Sequence, residues 1–183
     1  MFEIILLLVI VALISWGIWV FNRLIRNRNH TRAGWSDIDV QLQRRHDLIP
    51  LLVESVKAYA GHERSTLEAV TQLRSLSQSA EHLPERAALE DQIETATHRL
   101  IALAESYPDL KANRNFLELQ NELANTEDKL QYARRFYNGA VRSFNTRLES
   151  FPDLIIARAI GFSAREFFSA DEHAAQAVRV DLS

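Results

Sequence analysis

Ile4 to Phe21 reads IILLLVIVALISWGIWVF, eighteen consecutive residues without a charge. A helix built from it is apolar on every face, so it cannot be one side of a soluble amphipathic fold. At ~1.5 Å per residue it extends ~27 Å, close to the ~30 Å hydrocarbon core of a bilayer. Trp16 and Trp19 fall near its end, where indole rings favour the headgroup boundary. Residues 1–22 are therefore read as a transmembrane anchor that is retained. The three residues before the span are Met-Phe-Glu, without the basic charge of a cleavable leader, and no small-x-small site precedes the first charges.

Arg23, Arg26, Arg28 and Arg32 follow the span at once and make residues 23–34 a basic juxtamembrane segment. Holding these arginines on the cytoplasmic side puts the N-terminus outside and the rest of the chain in the cytoplasm. The same guanidinium groups are candidates for contact with anionic lipid headgroups. The span carries no glycine-type small-xxx-small pair, so nothing in it argues specifically for self-association, and a homo-oligomer stays open.

Beyond the anchor, five Gly and four Pro in 183 residues are few for a chain of hairpins and favour long helices. The absence of cysteine excludes a disulfide framework, a thiolate metal site and a cysteine nucleophile. A formal charge of −3, with no basic face past the juxtamembrane cluster, gives no field that would recruit nucleic acid.

Apolar periodicity sets the architecture. Phe116, Leu119, Leu123, Thr126, Leu130, Ala133, Tyr137, Ala140 and Phe144 alternate in steps of three and four, the seam of a coiled-coil-like bundle helix from Asn113 to Ser150. The phase holds across Asn138-Gly139, which reads as a tolerated glycine allowing close packing rather than a hairpin turn. Leu89, Ile93, Ala96, Leu100 and Leu103 predict a second helix from about Glu85 to Ser106, bounded by Leu83-Pro84 and Tyr107-Pro108. Trp35, Ile38, Leu42, Arg45, Ile49, Leu52, Val56 and Tyr59 keep the step straight across Pro50, which favours a kink over a stop. Run on to Ser79 as one rod, this first helix would reach ~72 Å while the next returns only ~33 Å, so a break near Pro50 or Gly61, or an overhang, is required. After Phe151-Pro152 a shorter amphipathic helix is expected to about Ala170. The polar, alanine-rich residues 171–183 read as a loosely ordered tail. The predicted fold is all-α: an N-terminal transmembrane helix followed by an elongated antiparallel coiled-coil-like helical bundle over residues 35–170.

Three stretches carry a family resemblance. They are WSDIDVQLQRRHDLIPLLVESVKAYAGHE from Trp35, YPDLKANRNFLELQNELANTEDKL from Tyr107 continuing through ARRFYNGAVRSFNTRLESFP to Pro152, and GFSAREFF from Gly161 to Phe168. Together they resemble the LemA family over nearly the whole chain. One departure is visible: Ile49-Pro50-Leu51-Leu52 stands where the family often has Ile-Pro-Asn-Leu. The resemblance implies a membrane-anchored helical bundle of the bacterial inner membrane and no established biochemical activity.

The residues themselves assemble little chemistry. His62-Glu63 begins like a zinc-protease motif, but position 66 is Thr where the second histidine must stand. Arg44, Arg45, His46 and Asp47 form the densest ionisable cluster. His46 could act as a base oriented by Asp47 or Asp39, but adjacent helical residues point apart, and a charge network with Arg45 paired to an acid on another helix explains the group better. Asp47 is also a candidate local cap where Pro50 loosens the backbone. Glu118, Glu122, Glu127 and Asp128 lack the Glu-x-x-His partners of a di-iron bundle and read as a solvated face. Arg134 and Arg135, beside Tyr137 and Asn138, could bind a phosphate or carboxylate or else flank the seam as ion-pair partners. Phe162, Phe167 and Phe168 form a candidate contact patch, unless the last segment packs back on the bundle. No glycine-rich loop, nucleophile elbow or dinucleotide fingerprint occurs.

The sequence thus predicts a non-enzymatic, membrane-anchored scaffold or adaptor without cofactor or metal, its partners the lipid bilayer and a protein. The alternatives are a lipid-binding or membrane-remodelling bundle and an unrecognised metal-dependent hydrolase around His46 and Asp47.

Overall fold

A computed structural model describes residues 1–61 and 63–169. His62 and the expected tail from residue 171 lie outside the described residues. The described chain is helical, in the order α1 (Phe2–Lys57), α2 (Arg64–Ser79), α3 (Leu83–Ala104), α4 (Pro108–Lys111), α5 (Arg114–Glu149) and α6 (Asp153–Ile160).

Anchor and first bundle helix are one element. α1 has 56 residues, a rod of ~84 Å. Every residue from Met1 to Ser15 is exposed, whereas Val20, Leu24 and then Thr31, Gly34, Ile38 and Leu42 are buried against other helices. The helix thus passes from an unpartnered apolar end into the spine of a bundle without a break. It is the one helix among those described that is long and apolar enough to cross a membrane.

Pro50 lies inside α1 and does not end it. Proline has no N–H to donate, so the carbonyl four residues back, that of His46, loses its helical partner. Arg74 of α2 supplies the missing donor: its Nε lies 2.7 Å from the His46 carbonyl oxygen. The break comes instead between Lys57 and Arg64, where Ala60 N–H turns back to the Val56 carbonyl. This resolves the mismatch of lengths. The rod stops at Lys57, short of Gly61, and Tyr59, expected in the seam, is exposed beyond the end of the helix while Ala60 is buried.

α5 runs antiparallel to α1 along nearly all of its bundle portion. Arg23 meets Asp153 just past α5, Gly34 lies under Tyr137, and Arg45 meets Glu127. Asn113 caps α5, its Oδ1 accepting from the N–H groups of Asn115 and Phe116. The buried residues of α5 follow the predicted seam through Tyr137, then shift to Val141, Phe144 and Leu148, with Ala140 only partly buried. A straight helix drifts against a strict seven-residue repeat, and one extra step of four absorbs the drift. Gly139, in that step, has nothing within 4 Å of where a Cβ would stand. Close approach is made at Gly34 instead, where a Cβ would lie 3.0 Å from Phe136 Cδ1 and 3.1 Å from Tyr137 Cα.

α2 and α3 form a hairpin against the distal half of α1, where Ile49, Val70 and Ile93 make a common cluster. The buried line of α3 is Ala87, Glu90, Ile93, Thr97, Leu100 and Ala104. It is rotated by one residue from the apolar set expected at positions 89, 96 and 103. Nearer the span, α6 and the segment after it take the hairpin's place. α6 is shorter than expected. It ends at Gly161 (φ 78°), whose N–H goes to the Arg158 carbonyl while Phe162 N–H goes to that of Ala157. This pair of bonds is a Schellman stop, which a left-handed glycine makes possible.

Candidate functional site

The expected ionisable cluster does not stay together. Helical neighbours lie ~100° apart, so Arg44 and Asp47 face solvent while Arg45 and His46 turn inward. Asp47 accepts from Gln43 at 2.9 Å and makes neither a cap nor a partner for His46. Arg44 lies 3.7 Å from Glu122 on the surface. Asp39 pairs with Arg86 of α3, not with His46.

The two inward groups converge on Glu90 of α3, which sits in the angle between them. Arg45 Nη1 donates to Glu90 Oε2 at 3.1 Å and to its backbone carbonyl at 3.2 Å. His46 Nε2 lies 2.7 Å from Glu90 Oε1, and Ser77 Oγ of α2 donates to the same oxygen. Arg45 Nη2 reaches Glu127 of α5 at 2.7 Å and lies 3.9 Å from Glu94. Four helices are thereby joined through one buried carboxylate and one buried guanidinium. Arg45, His46, Ser77 and Glu90 are all buried to within 2%.

The environment splits the two carboxylates. Burial pushes Glu90 up, but hydrogen bonds from His46 and Ser77 and the positive charges beside it outweigh burial and hold it below its ordinary value. The carboxylate is therefore favoured in its ionised form, with His46 Nε2, Ser77 and Arg45 gathered around it. Glu127 goes the other way. Burial, only partly offset by Arg45 and reinforced by a hydrogen bond with Glu94, raises it from 4.5 to about 7. Glu127 is thus an inward-turned member of the network, not part of the solvated face expected for it.

Serine, histidine and a carboxylate in one cluster invite comparison with a nucleophilic triad. In a triad the histidine stands between nucleophile and acid, so that it can take the hydroxyl proton. Here the acid stands between. Ser77 and His46 both bond to Glu90 Oε1, so the hydroxyl proton is directed at a carboxylate of lowered basicity. The geometry stabilises a charge and activates no nucleophile. Among the described residues no group of three or more His, Asp or Glu is placed to hold a metal ion.

The second cluster expected from the sequence is also divided. Arg134 Nη1 donates to Asp91 of α3 at 2.7 Å and its guanidinium stacks 5.1 Å from the Phe168 ring. Arg135 is exposed and reaches only the Gln131 carbonyl of its own helix. The proposed aromatic patch is not an exposed one. Phe168 is 2% exposed, tilted against Trp35, and Phe167 is partly buried beside it. Phe162 is partly buried edge-on to Phe144, with Arg28 over its face at 5.5 Å.

What holds those rings is a strap. Asn138 and Asn145, seven residues apart on α5, each use both ends of the side-chain amide. Asn138 accepts from the N–H of Phe168 at 2.9 Å and donates to its carbonyl at 3.1 Å. Asn145 does the same with Arg165, both at 2.9 Å. Seven helical residues rise ~10.5 Å and three extended residues ~10 Å, so the two spacings match. Tyr137 Oη adds a bond to the Glu166 carbonyl between them. The segment after Gly161 is pinned along α5 as if paired in a sheet.

Of the juxtamembrane arginines, Arg26 and Arg32 are exposed while Arg23 and Arg28 are engaged. Arg23 Nη2 lies 2.7 and 2.6 Å from the two oxygens of Asp153, itself 2% exposed, and Arg147 stands 3.5 Å away. Glu90, Ser77, Arg74 and Asp153 escaped the sequence reading. The one available signal was polar residues recurring at seam spacing in α3, Glu90 and Thr97 among them.

A model of the LemA family matches residues 34–182, the part of the chain that holds the ionic core and the strap. The LemA protein of Metamycoplasma hominis is 30% identical over 163 residues, covering 88% of this chain and 74% of its own length. The magnetosome protein MamQ 2 of Paramagnetospirillum magneticum is 24% identical over 185 residues, covering 87% and 68%. MamQ of Magnetospirillum gryphiswaldense is 22% identical with the same coverage. None of these names is that of an enzyme. The matched region, the long shared alignment and the single apolar helix ahead of the bundle lead to one conclusion: this chain belongs to the LemA family.

Proposed function

We propose that this protein is a non-enzymatic, rod-shaped scaffold or adaptor of the bacterial inner membrane, with its N-terminus outside and its bundle in the cytoplasm. The observation that carries this reading is the continuity of α1: the helix long and apolar enough to cross a bilayer is also the spine of the bundle. A protein bound to the bundle is then held close to the membrane, at a height along the rod set by its binding position. The ionic core supports the reading from the inside, since Arg45, His46, Ser77 and Glu90 are spent on one another and buried. The orientation rests on the four arginines that follow the span.

The surface offered to a protein partner is the α1–α5 face left uncovered by the α2–α3 hairpin, where Val40, Tyr132 and Phe136 are exposed. Asp37, Gln41, Asp128 and Lys129 rim a shallow groove there. Apolar rings rimmed by mixed charge suit protein contact better than lipid. In-cell photocrosslinking from position 132, with mass spectrometry, is expected to recover a reproducible protein adduct. Crosslinks to lipid alone, or none, would count against the adaptor reading.

A further inference from the structure

The register of α5 on α1 fixes the height of everything that follows α5. Because Arg23 meets Asp153 and Val20, Phe144, Leu148 and Ala157 share one cluster, α6 lies beside the last turns of the apolar span rather than beyond it. Ile156 Cδ1 comes within 4.0 Å of the position where a Cβ on Gly17 would stand, and Trp16 packs in the same cluster. Gly17 to Phe21 rises ~6 Å, so this level is within the headgroup and upper acyl region.

At that height the outward side of α6 is apolar and uncovered. Phe151 is 82% exposed, Ile155 54% and Ile160 52%. Ile18 and Trp19 of α1, next to Gly17 against which Ile156 packs, are exposed as well, and are lipid-facing once the span is inserted. The charges are sorted to match. Asp153, the acid within residues 151–160, is turned inward onto Arg23 and Arg147, while Arg158 remains exposed. A short helix with apolar and basic groups outward and its carboxylate neutralised inside has the pattern of a segment lying in the plane of the interface.

We propose that α6 with Phe151 is a second membrane-contact element, embedded at the headgroup–acyl boundary beside the transmembrane helix. It would make the bundle's attachment a two-point one. The span alone leaves rotation about its own axis and tilt free. A second contact, fixed to α1 by the Arg23–Asp153 pair, sets which face of the rod is turned to the bilayer. The proposal rests on the span lying in a bilayer, and it does not depend on the identity of any protein partner.

The chain has no cysteine, so single cysteines can each carry an environment-sensitive fluorophore in the full-length protein. Leu8, Trp19, Phe151, Ile155 and Val40 would be replaced one at a time, and each labelled protein reconstituted into phosphatidylcholine–phosphatidylglycerol vesicles. Lipids carrying a quencher near the headgroup are expected to quench positions 151 and 155 to the extent seen at position 19. Position 40 should remain as in water, and position 8 should respond to a quencher deep in the acyl chains. Positions 151 and 155 behaving like position 40 while position 8 is quenched would overturn the proposal and leave the anchor intact. Shielding at position 155 that grows with protein density but is blind to quencher lipids would overturn it in favour of a second copy of the chain. No deep quenching at position 8 would overturn the anchor and this proposal together.

Discussion

Removing the Glu90 carboxylate would leave His46 Nε2, Ser77 Oγ and Arg45 Nη1 without their buried acceptor, with only Glu127 and Glu94 still beside the far edge of the guanidinium. Breaking one side of a buried ion pair costs about 3–5 kcal/mol, much more than the pair contributes relative to an apolar replacement. Glu90→Ala is therefore expected to lower stability by that amount in the detergent-solubilised full chain, read by denaturant unfolding. An effect within experimental error would mean that the core is open to water. Glu127 offers a contrasting test. Its folded pKa of about 7 lies above the ordinary value of 4.5, so the folded chain holds this proton over a range where the unfolded chain has released it. The stabilisation is fully present below pH 4.5 and is lost as pH rises through 7. Glu90, held below its ordinary value, contributes the opposite slope, at acid pH. Thermal stability should thus decline between pH 5 and 8, and Glu127→Gln should remove part of that decline. An unchanged slope in the variant would locate the titration elsewhere.

Among elements, Gly34 of α1 and Gly139 of α5 make a matched pair. At Gly139 an added methyl meets nothing, and alanine is better than glycine inside a helix by about 0.5–1 kcal/mol. At Gly34 the same methyl would press on the Tyr137 backbone, and overpacking costs about 1–3 kcal/mol. Gly139→Ala is expected to raise the midpoint of thermal unfolding and Gly34→Ala to lower it; the reverse order would displace the α1–α5 contact from where it is described. Periodicity located these helices well, because apolar residues at steps of three and four must share a face. On α3 it placed Ile93 and Leu100 correctly, but the buried neighbours are Glu90, Thr97 and Ala104 rather than Leu89, Ala96 and Leu103, and Glu90 is satisfied by three side chains from two other helices. Nothing in the spacing of leucines announces a carboxylate that will be fully paired.

For the molecule as a whole, the anchor and the bundle are mechanically one body, since no joint interrupts α1 between residues 2 and 57. The proposed orientation can be read directly. A cysteine placed at Glu68, exposed on the distal half of the bundle, should resist a membrane-impermeant maleimide in intact spheroplasts and react after lysis. Labelling before lysis would invert the topology.

The sequence by itself determined that the chain opens with a helix long and apolar enough to cross a membrane, that the fold is all-α, and which long segments form helices. These follow from local quantities: uninterrupted apolarity, charge asymmetry about one span, and a helical repeat that survives proline and glycine. It also carried three long stretches that resemble the LemA family. Only the tertiary structure decided where the charged groups go. That Arg45 and His46 share Glu90, that Arg74 replaces the hydrogen bond Pro50 removes, that two asparagines hold the C-terminal strap, and that Asp153 is turned onto Arg23 are pairings between residues 20 to 130 positions apart. Such pairings depend on the relative rotation and height of packed helices, and no short window of sequence encodes either.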